Sequence, residues 1–296
     1  MLRHCQRRMR MVMIRKGVMN DCNDLLEVYQ GTRWFYRQIE GGYTTVEQVK
    51  TEHRGATFER WGWLVAEEKE KIVGEVVFRA EKNPNGRIGI IRNLDIDVRN
   101  QKSTIGTQLT RAAEDVMRKK RVVRVVATTP PAAYNYWMKV GYFARGSILD
   151  IKKPISKIPD LRSRGVKTVK VRTPSKIPKS MRFSNIAYPG LLADIVGSVV
   201  DGEAKGQLLE FTCEEKLVGV GAVLLSGKSH AQFAADVTKR GLKLADIVIA
   251  KTARAALSLK VKTAKTRIPK GQLVHYSTLG KWTTEDSTDI PVTKLL

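Results

Sequence analysis

The chain has 296 residues, enough for two domains of ordinary size, and its 42% hydrophobic and 7% aromatic content is that of a globular protein. Its 53 basic against 29 acidic residues leave a formal charge of +24, a surface that attracts polyanions; nucleic acid, ribosomes and phosphorylated cofactors all answer to that description, as does a plain preference for Lys and Arg. No apolar run of about 18 residues could cross a bilayer, and the three cysteines and four histidines are scattered without CxxC or metal-ligand spacing, so a membrane protein, a disulfide scaffold and a metal site are not expected and a reducing cytoplasmic setting is.

Residues 1–12 hold Arg3, Arg7, Arg8 and Arg10 with no acid, and lack the apolar stretch of a secretory signal, so a flexible basic arm is expected before a fold that begins at Met13. MVMIRK then reads as a strand, Asn20 to Asn23 as a turn, and Leu25, Leu26 and Val28 as the apolar side of a helix, with a second helix at Trp34 and Phe35. WGWLVAEE (61–68) and KIVGEVVFRA (71–80) are β-rich runs separated by charged residues, a hairpin pattern. Pro84, Asn85 and Gly86 turn the chain into another strand, IGIIRNLDIDV (88–98).

Ile105, Leu109, Ala112, Ala113, Val116 and Met117 share one helical face, and Arg118 to Arg121 put cations where a helix C-terminus favours them. VVRVVA (122–127) is a buried strand, Pro130 and Pro131 open the next helix, and AYNYWMKVGY leads to a last strand ending near Ile151. The order describes an α/β or α+β domain over residues 13–151. Residues 151 to 182 hold eleven Lys or Arg and one acid, Asp160, and repeat Ser-Lys-Ile-Pro, so a basic linker is expected at 152–182 and a smaller second domain at 183–296. Glu70-Lys71-Ile72-Val73-Gly74 recurs as Glu215-Lys216-Leu217-Val218-Gly219, and Arg111-Ala112-Ala113 as Arg254-Ala255-Ala256. Pro130, Tyr136 and Gly141 have counterparts in Pro269, Tyr276 and Gly280, the pattern of a diverged tandem copy.

The corner Asn100 to Thr107 passes from a strand into the long amphipathic helix. A helix N-terminus binds anions through free backbone N–H groups, and glycine is needed there only where φ is positive or a ligand comes close. Gly106 fills that need, Ser103 and Thr104 can add hydroxyl donors, and Lys102 a charge. Neither a Walker A loop nor GxGxxG is present.

This corner resembles motif A of the GNAT superfamily, the acetyl-coenzyme A dependent N-acetyltransferases. Their pattern is Gln or Arg, two free positions, Gly, one free position, then Gly or Ala; here it reads Gln101-Lys102-Ser103-Thr104-Ile105-Gly106, with Thr104 in place of the first glycine. Leu94-Asp95-Ile96 stands where the family's fourth strand ends. Tyr136 to Tyr142 is similar to the family's aromatic, Lys, x, Gly, aromatic signature, and Ile14 to Tyr29 to its opening strand and helix.

The resemblance implies a GNAT-like mixed central sheet flanked by helices. It implies that the amides from Gln101 to Gly106, with Thr107, cradle the pyrophosphate of acetyl-coenzyme A, and that Leu94 and Ile96 pair with its pantetheine arm. An N–H near Ile96 would polarise the thioester carbonyl. The family's tyrosine acid falls on Trp137, which would pack along the cofactor, leaving Tyr136 or Tyr134, or water, as substitute acid and Glu75 or Asp95 as base. In the second half the matching corner is expected near Leu244 to Ala250, with no glycine and no basic lead, and so without cofactor. The expected activity is direct acetyl transfer to an amine of a protein, peptide or small molecule. The alternatives are an inactive relative that grips nucleic acid or the ribosome through the basic linker, and a sensor of acyl-coenzyme A.

Overall fold

The computed structural model describes residues 12–32, 43–55, 57–83, 86–101, 103–172 and 184–296. The expected basic arm at 1–12, all but its last residue, and the helix expected at Trp34 and Phe35 lie outside them.

Two mixed seven-stranded sheets run through the chain. The first has the order β1-β2-β3-β4-β5-β14-β6, from Met13–Lys16 (β1), Trp63–Glu68 (β2), Lys71–Asn83 (β3), Gly86–Ile96 (β4), Val122–Thr129 (β5), Ile290–Leu295 (β14) and Phe143–Ala144 (β6). The second has the order β13-β7-β12-β11-β10-β9-β8. Its strands are Thr283–Asp286 (β13), Ile148–Pro154 (β7), Thr263–Pro269 (β12), His230–Val237 (β11), Lys216–Ser226 (β10), Gly206–Cys213 (β9) and Val166–Val171 (β8). The helices are Cys22–Gly31 (α1), Val46–Glu52 (α2), Ile105–Lys119 (α3), Pro131–Lys139 (α4), Leu191–Val200 (α5), Ala245–Ala255 (α6) and Leu273–Ser277 (α7). By its contacts the chain forms two compact units, one of the described residues in Met1–Arg54, Glu59–Phe78 and Ile91–Lys119, the other of Gly55–Phe58, Arg79–Ile90 and the described residues in Lys120–Leu296.

Sequence repetition becomes structural repetition at the hairpins. Lys69 and Glu70 turn β2 into β3 with φ of 52° and 62°, and Glu214 and Glu215 turn β9 into β10 with φ of 50° and 60°, the two left-handed residues that match a hairpin's twist. Both hairpins then bulge at the same place. Ala66 opposes Gly74 and Glu67 opposes Ile72, skipping Val73; Phe211 opposes Gly219 and Thr212 opposes Leu217, skipping Val218. The skipped carbonyl accepts an N–H from the residue just after the neighbouring strand, Asp97 N to Val73 O and Thr238 N to Val218 O, each at 2.9 Å. A bulge is a conserved local device rather than an accident of pairing, so its recurrence with the same carbonyl partner makes the halves copies of one plan.

The last strand of each half goes to the other half's sheet. β7 pairs with β12 and β13, and β14 pairs with β5 and β6. The strand ending near Ile151 therefore closes the second sheet and not the first, as the order of elements alone implied. In each half a glycine ends the last helical turn with positive φ, Gly141 at 89° and Gly280 at 87°, where an L side chain would be strained. A lysine of the incoming strand reaches over that corner. Lys294 Nζ donates to Val140 O at 2.9 Å and lies over the Tyr142 ring; Lys153 Nζ donates to Leu279 O at 2.5 Å and lies over the Trp282 ring.

The basic stretch is not a plain linker. Ile155, Ile158 and Val166 join the core of the second sheet, and VKTVKV pairs with β9 in register from Val166↔Cys213 to Val171↔Leu208. Its period-2 pattern was hidden by the lysines on an edge strand, where charge discourages further pairing. Residues 173–182 lie outside the described ones.

On α3 the buried face is Ile105, Leu109, Ala113 and Met117, as expected, but Thr110 and Glu114 are buried with it while Ala112 and Val116 are only half-buried. Each large apolar side chain on that face contributes about 1.5–3 kcal/mol.

Candidate active site

β4 ends at Ile96, and a single 3-10 turn, Val98–Asn100, carries the chain into α3. Asp97 caps that turn by accepting Arg99 N at 2.8 Å and holds the Arg99 guanidinium as well, which keeps its carboxyl below the usual range. β4 is registered in parallel against β5 from Arg87↔Val122 to Ile90↔Val126, and no rung follows.

The corner has the chemistry of an anion seat. The first turn of α3 contains no acid. Among the described residues no acceptor is found for the amide of Thr107, one of the donors that a helix N-terminus leaves open. Ser103 Oγ accepts Ile105 N at 3.3 Å and Thr104 Oγ1 accepts Gln108 Nε2 at 3.0 Å. Both hydroxyls thus use a lone pair on the protein and keep a proton to donate. Gln101, Ser103 and Thr104 are exposed, Thr107 is half-buried, and Ile105 and Gly106 are buried beneath. Gln101 Nε2 donates to Ile96 O at 3.3 Å. Lys102 lies outside the described residues. The residues present fit a diphosphate, and the threonine in place of a glycine supplies a hydroxyl without closing the turn.

Beside the corner, Leu94 and Ile96 are half-buried and Asp95 points to the opposite side of the strand. Asp95 is 8% exposed and accepts no hydrogen bond from any described residue. Burial, with the Glu75 and Glu52 carboxylates nearby, pushes its pKa up to about 8. Glu75 on β3 is buried completely and accepts from three donors: the Tyr29 hydroxyl, His53 Nε2 at 3.0 Å and Trp63 Nε1 at 2.9 Å. Burial alone would lower His53, but the Glu75 carboxylate beside it outweighs burial and lifts the imidazole to about 9. Toward the surface, Glu52 Oε1 accepts Asn93 Nδ2 at 3.2 Å and its other oxygen accepts the Tyr43 hydroxyl.

Sequence reasoning named Glu75 and Asp95, and the structure brings them together in one unit. It missed Tyr29, His53, Trp63, Glu52, Tyr43 and Asn93, spread over four elements (α1, α2, β2 and β4) and the loops on either side of α2. The available signal was a lone acid inside the apolar run KIVGEVVF, since a charge on a buried strand demands partners. Tyr136 is half-buried on α4, in the other unit. Trp137 is buried, edge-on to Tyr136 at 5.4 Å and to Tyr142 at 4.8 Å, a core aromatic with its indole enclosed by rings.

The second corner is built differently from the expectation. Its counterpart of Asp97 is Thr238, so the equivalent stretch is Thr238 to Ala245, and it does contain a glycine and basic residues: Lys239, Arg240, Gly241 and Lys243. It is nonetheless shut. A Cβ on Gly241 would lie 2.0 Å from Val218 O, so that glycine serves packing against β10. The first turn of α6 already carries an acid, Asp246, paired with Arg164. Among the described residues no cluster of three or more His, Cys, Asp or Glu could hold a metal, and no helix is long and apolar enough to cross a membrane.

Residues 27–142 match the model of the acetyltransferase (GNAT) family. No curated protein matches the chain. Among solved structures, a GCN5-related N-acetyltransferase from Kribbella flavida is 12% identical with a TM-score of 0.56, over 97% of this chain and 71% of that one. One from Anabaena variabilis is 8% identical with a TM-score of 0.61, over 96% and 73%. A tandem GNAT protein from the clavulanic acid biosynthesis pathway is 12% identical with a TM-score of 0.53, over 96% and 98%. At such identities the likeness is one of fold, and it extends over both halves. The corner, the strand before it and the repeated plan agree with these matches: residues 27–142 are a domain of the acetyltransferase (GNAT) family, in a chain built as two GNAT-like halves.

Proposed function

We propose that the protein is an N-acyltransferase that moves an acetyl group from acetyl-coenzyme A to an amine, in a ternary complex and through its first half. The observation that carries this reading is the open corner at Gln101 to Thr107, with main-chain and hydroxyl donors and no acid, against a second corner shut by Gly241 and Asp246. Acetyl-coenzyme A supplies the acetyl carbon as a thioester. Its diphosphate would be held by the amides of Gly106 and Thr107 and the hydroxyls of Ser103 and Thr104, with Gln101 and Ile105 beside them. Leu94 and Ile96 offer main-chain groups to the pantetheine arm, and an N–H near Ile96 a donor to the carbonyl oxygen.

Asp95 is the better base of the two acids. Glu75 accepts from three donors, whereas Asp95 has none among the described residues, and burial pushes its pKa up to about 8. Asp95 takes one proton from the acceptor's ammonium group and the nitrogen lone pair attacks the carbonyl carbon; as the C–S bond breaks, the nitrogen gives its second proton to water and the departing thiolate takes one from water. Glu75 acts by setting the field at Asp95.

Titration calorimetry with acetyl-coenzyme A tests the reading. Binding is expected, with Gly106→Asp abolishing it by placing an anion where phosphate belongs. Binding that survives Gly106→Asp unchanged sinks the assignment of the corner. The basic surface leaves a protein or ribosomal acceptor as one class to include in an activity panel, beside small amines.

A further inference from the structure

The second half repeats the parting of strands that precedes the first corner, and it fills the gap with its own chain. β11 and β12 run parallel from His230↔Thr263 to Gln232↔Lys265, and among the described residues no rung follows, although β11 continues to Val237 and β12 to Pro269. In the first half the last rung is Ile90↔Val126. Val126 and Lys265 each stand four residues before the matching prolines, Pro130 and Pro269, and Ile90 and Gln232 stand seven and six residues before Asp97 and Thr238. Each pair of strands therefore parts at the same depth.

Ser184 to Tyr188 crosses the second gap. Ser184 N donates to Val237 O of β11 at 2.9 Å, and Tyr188 N to Arg267 O of β12 at 3.0 Å. Between them Ile186 N donates to Asp236 Oδ1 at 3.2 Å, which gives that buried acid a partner on the crossing chain. Side chains within the plane of a sheet leave it on opposite faces in turn, and those of the crossing do the same. Ile186 joins the core that holds Phe233, Val237, Ile268 and α6, whereas Ala187 joins the core that holds Val220, Ala234 and α5. The far end is tied as well. The Tyr188 hydroxyl hydrogen-bonds to Thr128 Oγ1, and Arg79 donates to Gly190 O and, at 3.0 Å, to Asp194 Oδ1. Gly190 has a φ of 92°, and a Cβ there would lie 2.7 Å from the Arg79 guanidinium, so the exit into α5 admits no side chain.

The corner shut by Gly241 and Asp246 bears on a diphosphate. It leaves open what satisfies the main chain of two parted, buried strands, which needs partners. We propose that Ser184–Tyr188 is an internal ligand of the second half, fixed in the gap whose first-half counterpart is left for the pantetheine arm, so that the chain takes one acyl-coenzyme A and not two. The comparison with a cofactor rests on the acyl-transfer reading; the plug does not.

Hydrogen exchange of the full chain, followed by NMR with and without saturating acetyl-coenzyme A, tests the plug. The amides of Ser184, Ile186 and Tyr188 are expected to exchange at least about a hundredfold more slowly than in an unfolded chain, with no change when the cofactor is added. Calorimetry is expected to give one acetyl-coenzyme A per chain. Ile186→Gly removes the buried side chain but keeps the backbone donors, and should speed exchange at Ser184 and Tyr188 by about tenfold or more, while Ile249 and Ala250 of α6 keep their rates. If that variant loosens α6 too, Ile186→Ala gives the same readout at smaller size. Fast exchange at these three amides in the unaltered chain, loss of their protection on adding acetyl-coenzyme A, two cofactors per chain, or rates at Ser184 and Tyr188 unmoved in the variants overturns the proposal. No acetyl-coenzyme A bound while the three amides stay protected removes the transferase reading and leaves the plug standing.

Discussion

The two halves carry one hairpin with the same left-handed turn, the same bulge and the same carbonyl-to-amide bridge, and then fill the space beneath it in opposite ways. Under β2 and β3 of the first half, Trp63, Glu75, His53 and Tyr29 form a hydrogen-bonded ionic nest. Under β9 and β10 of the second, Leu208 and Val220 pack against aliphatic side chains of α5. A backbone plan that tolerates both fillings specifies neither. The difference is a choice made by side chains, and the half that kept charge is also the half whose corner stayed open.

The largest effect should come from converting the first filling toward the second one residue at a time. Glu75→Leu leaves the His53 imidazolium buried without its partner and should cost about 3–5 kcal/mol in urea unfolding. Replacing the nest together, as His53→Leu, Trp63→Leu and Glu75→Val, should recover most of that loss, because neither member of the His53–Glu75 pair is then left buried without the other. A triple variant as unstable as the single one would mean that the first half has lost the capacity for an apolar filling.

Titration sharpens the comparison next. The folded pKa of Asp95 and of Asp236 is raised from 3.8 to about 8, in both cases first by burial, so each contributes stability that is complete below pH 3.8 and lost as pH rises through 8. His53 is raised from 6.5 to about 9, so its contribution is complete below 6.5 and lost through 9. All three act in one direction, and stability should fall from pH 4 to pH 9. Asp95→Asn and Asp236→Asn should each flatten that slope by up to about 1.4 kcal/mol per pH unit between the two pKa values. A slope that Asp236→Asn flattens and Asp95→Asn does not would mean that Asp95 is ionised in the folded protein.

Where the halves agree, matched substitutions should agree too. Gly141→Ala and Gly280→Ala each force an alanine to a φ near 90°, at a cost of about 1–2 kcal/mol. The two values should fall close together in the same denaturant series, and a several-fold difference would show that one corner can shift its backbone.

Much of this was legible in the sequence. The hairpin at 61–80 and the helix at 105–119 followed from periodicity, and the repeated Glu-Lys-Ile/Leu-Val-Gly marked the copies because turn and bulge both need those residues in place. β8 was obscured because an edge strand has little apolar surface to bury, so VKTVKV was lost in a basic run. The nest was half legible: a lone Glu75 in a buried strand announces a partner but not which one, and Tyr29 comes from α1, 46 residues away, and His53 from the turn after α2, 22 residues away. The exchange of β7 and β14 was illegible. ILDIKKP and IPVTKL have the same alternation and the same lysine near the end, so either would fit either sheet, and only the connections decide.

That interchangeability is itself open to test at the smallest scale. Lys153 and Lys294 occupy the same place in the two exchanged strands, each donating to the carbonyl that precedes the corner glycine and each over an aromatic ring. Lys153 is the more enclosed, at 4% exposure, and burial lowers its pKa, so its ammonium bears a desolvation cost that Lys294 bears less of. Replacing either by Met removes one charge-assisted hydrogen bond, about 1.5–3 kcal/mol, but refunds the desolvation. Lys294→Met should therefore lose about 1 kcal/mol and Lys153→Met less, read as midpoint shifts in urea at one pH. The reverse order would mean that the exchanged strand is anchored more firmly in the second sheet than its enclosed cation alone explains.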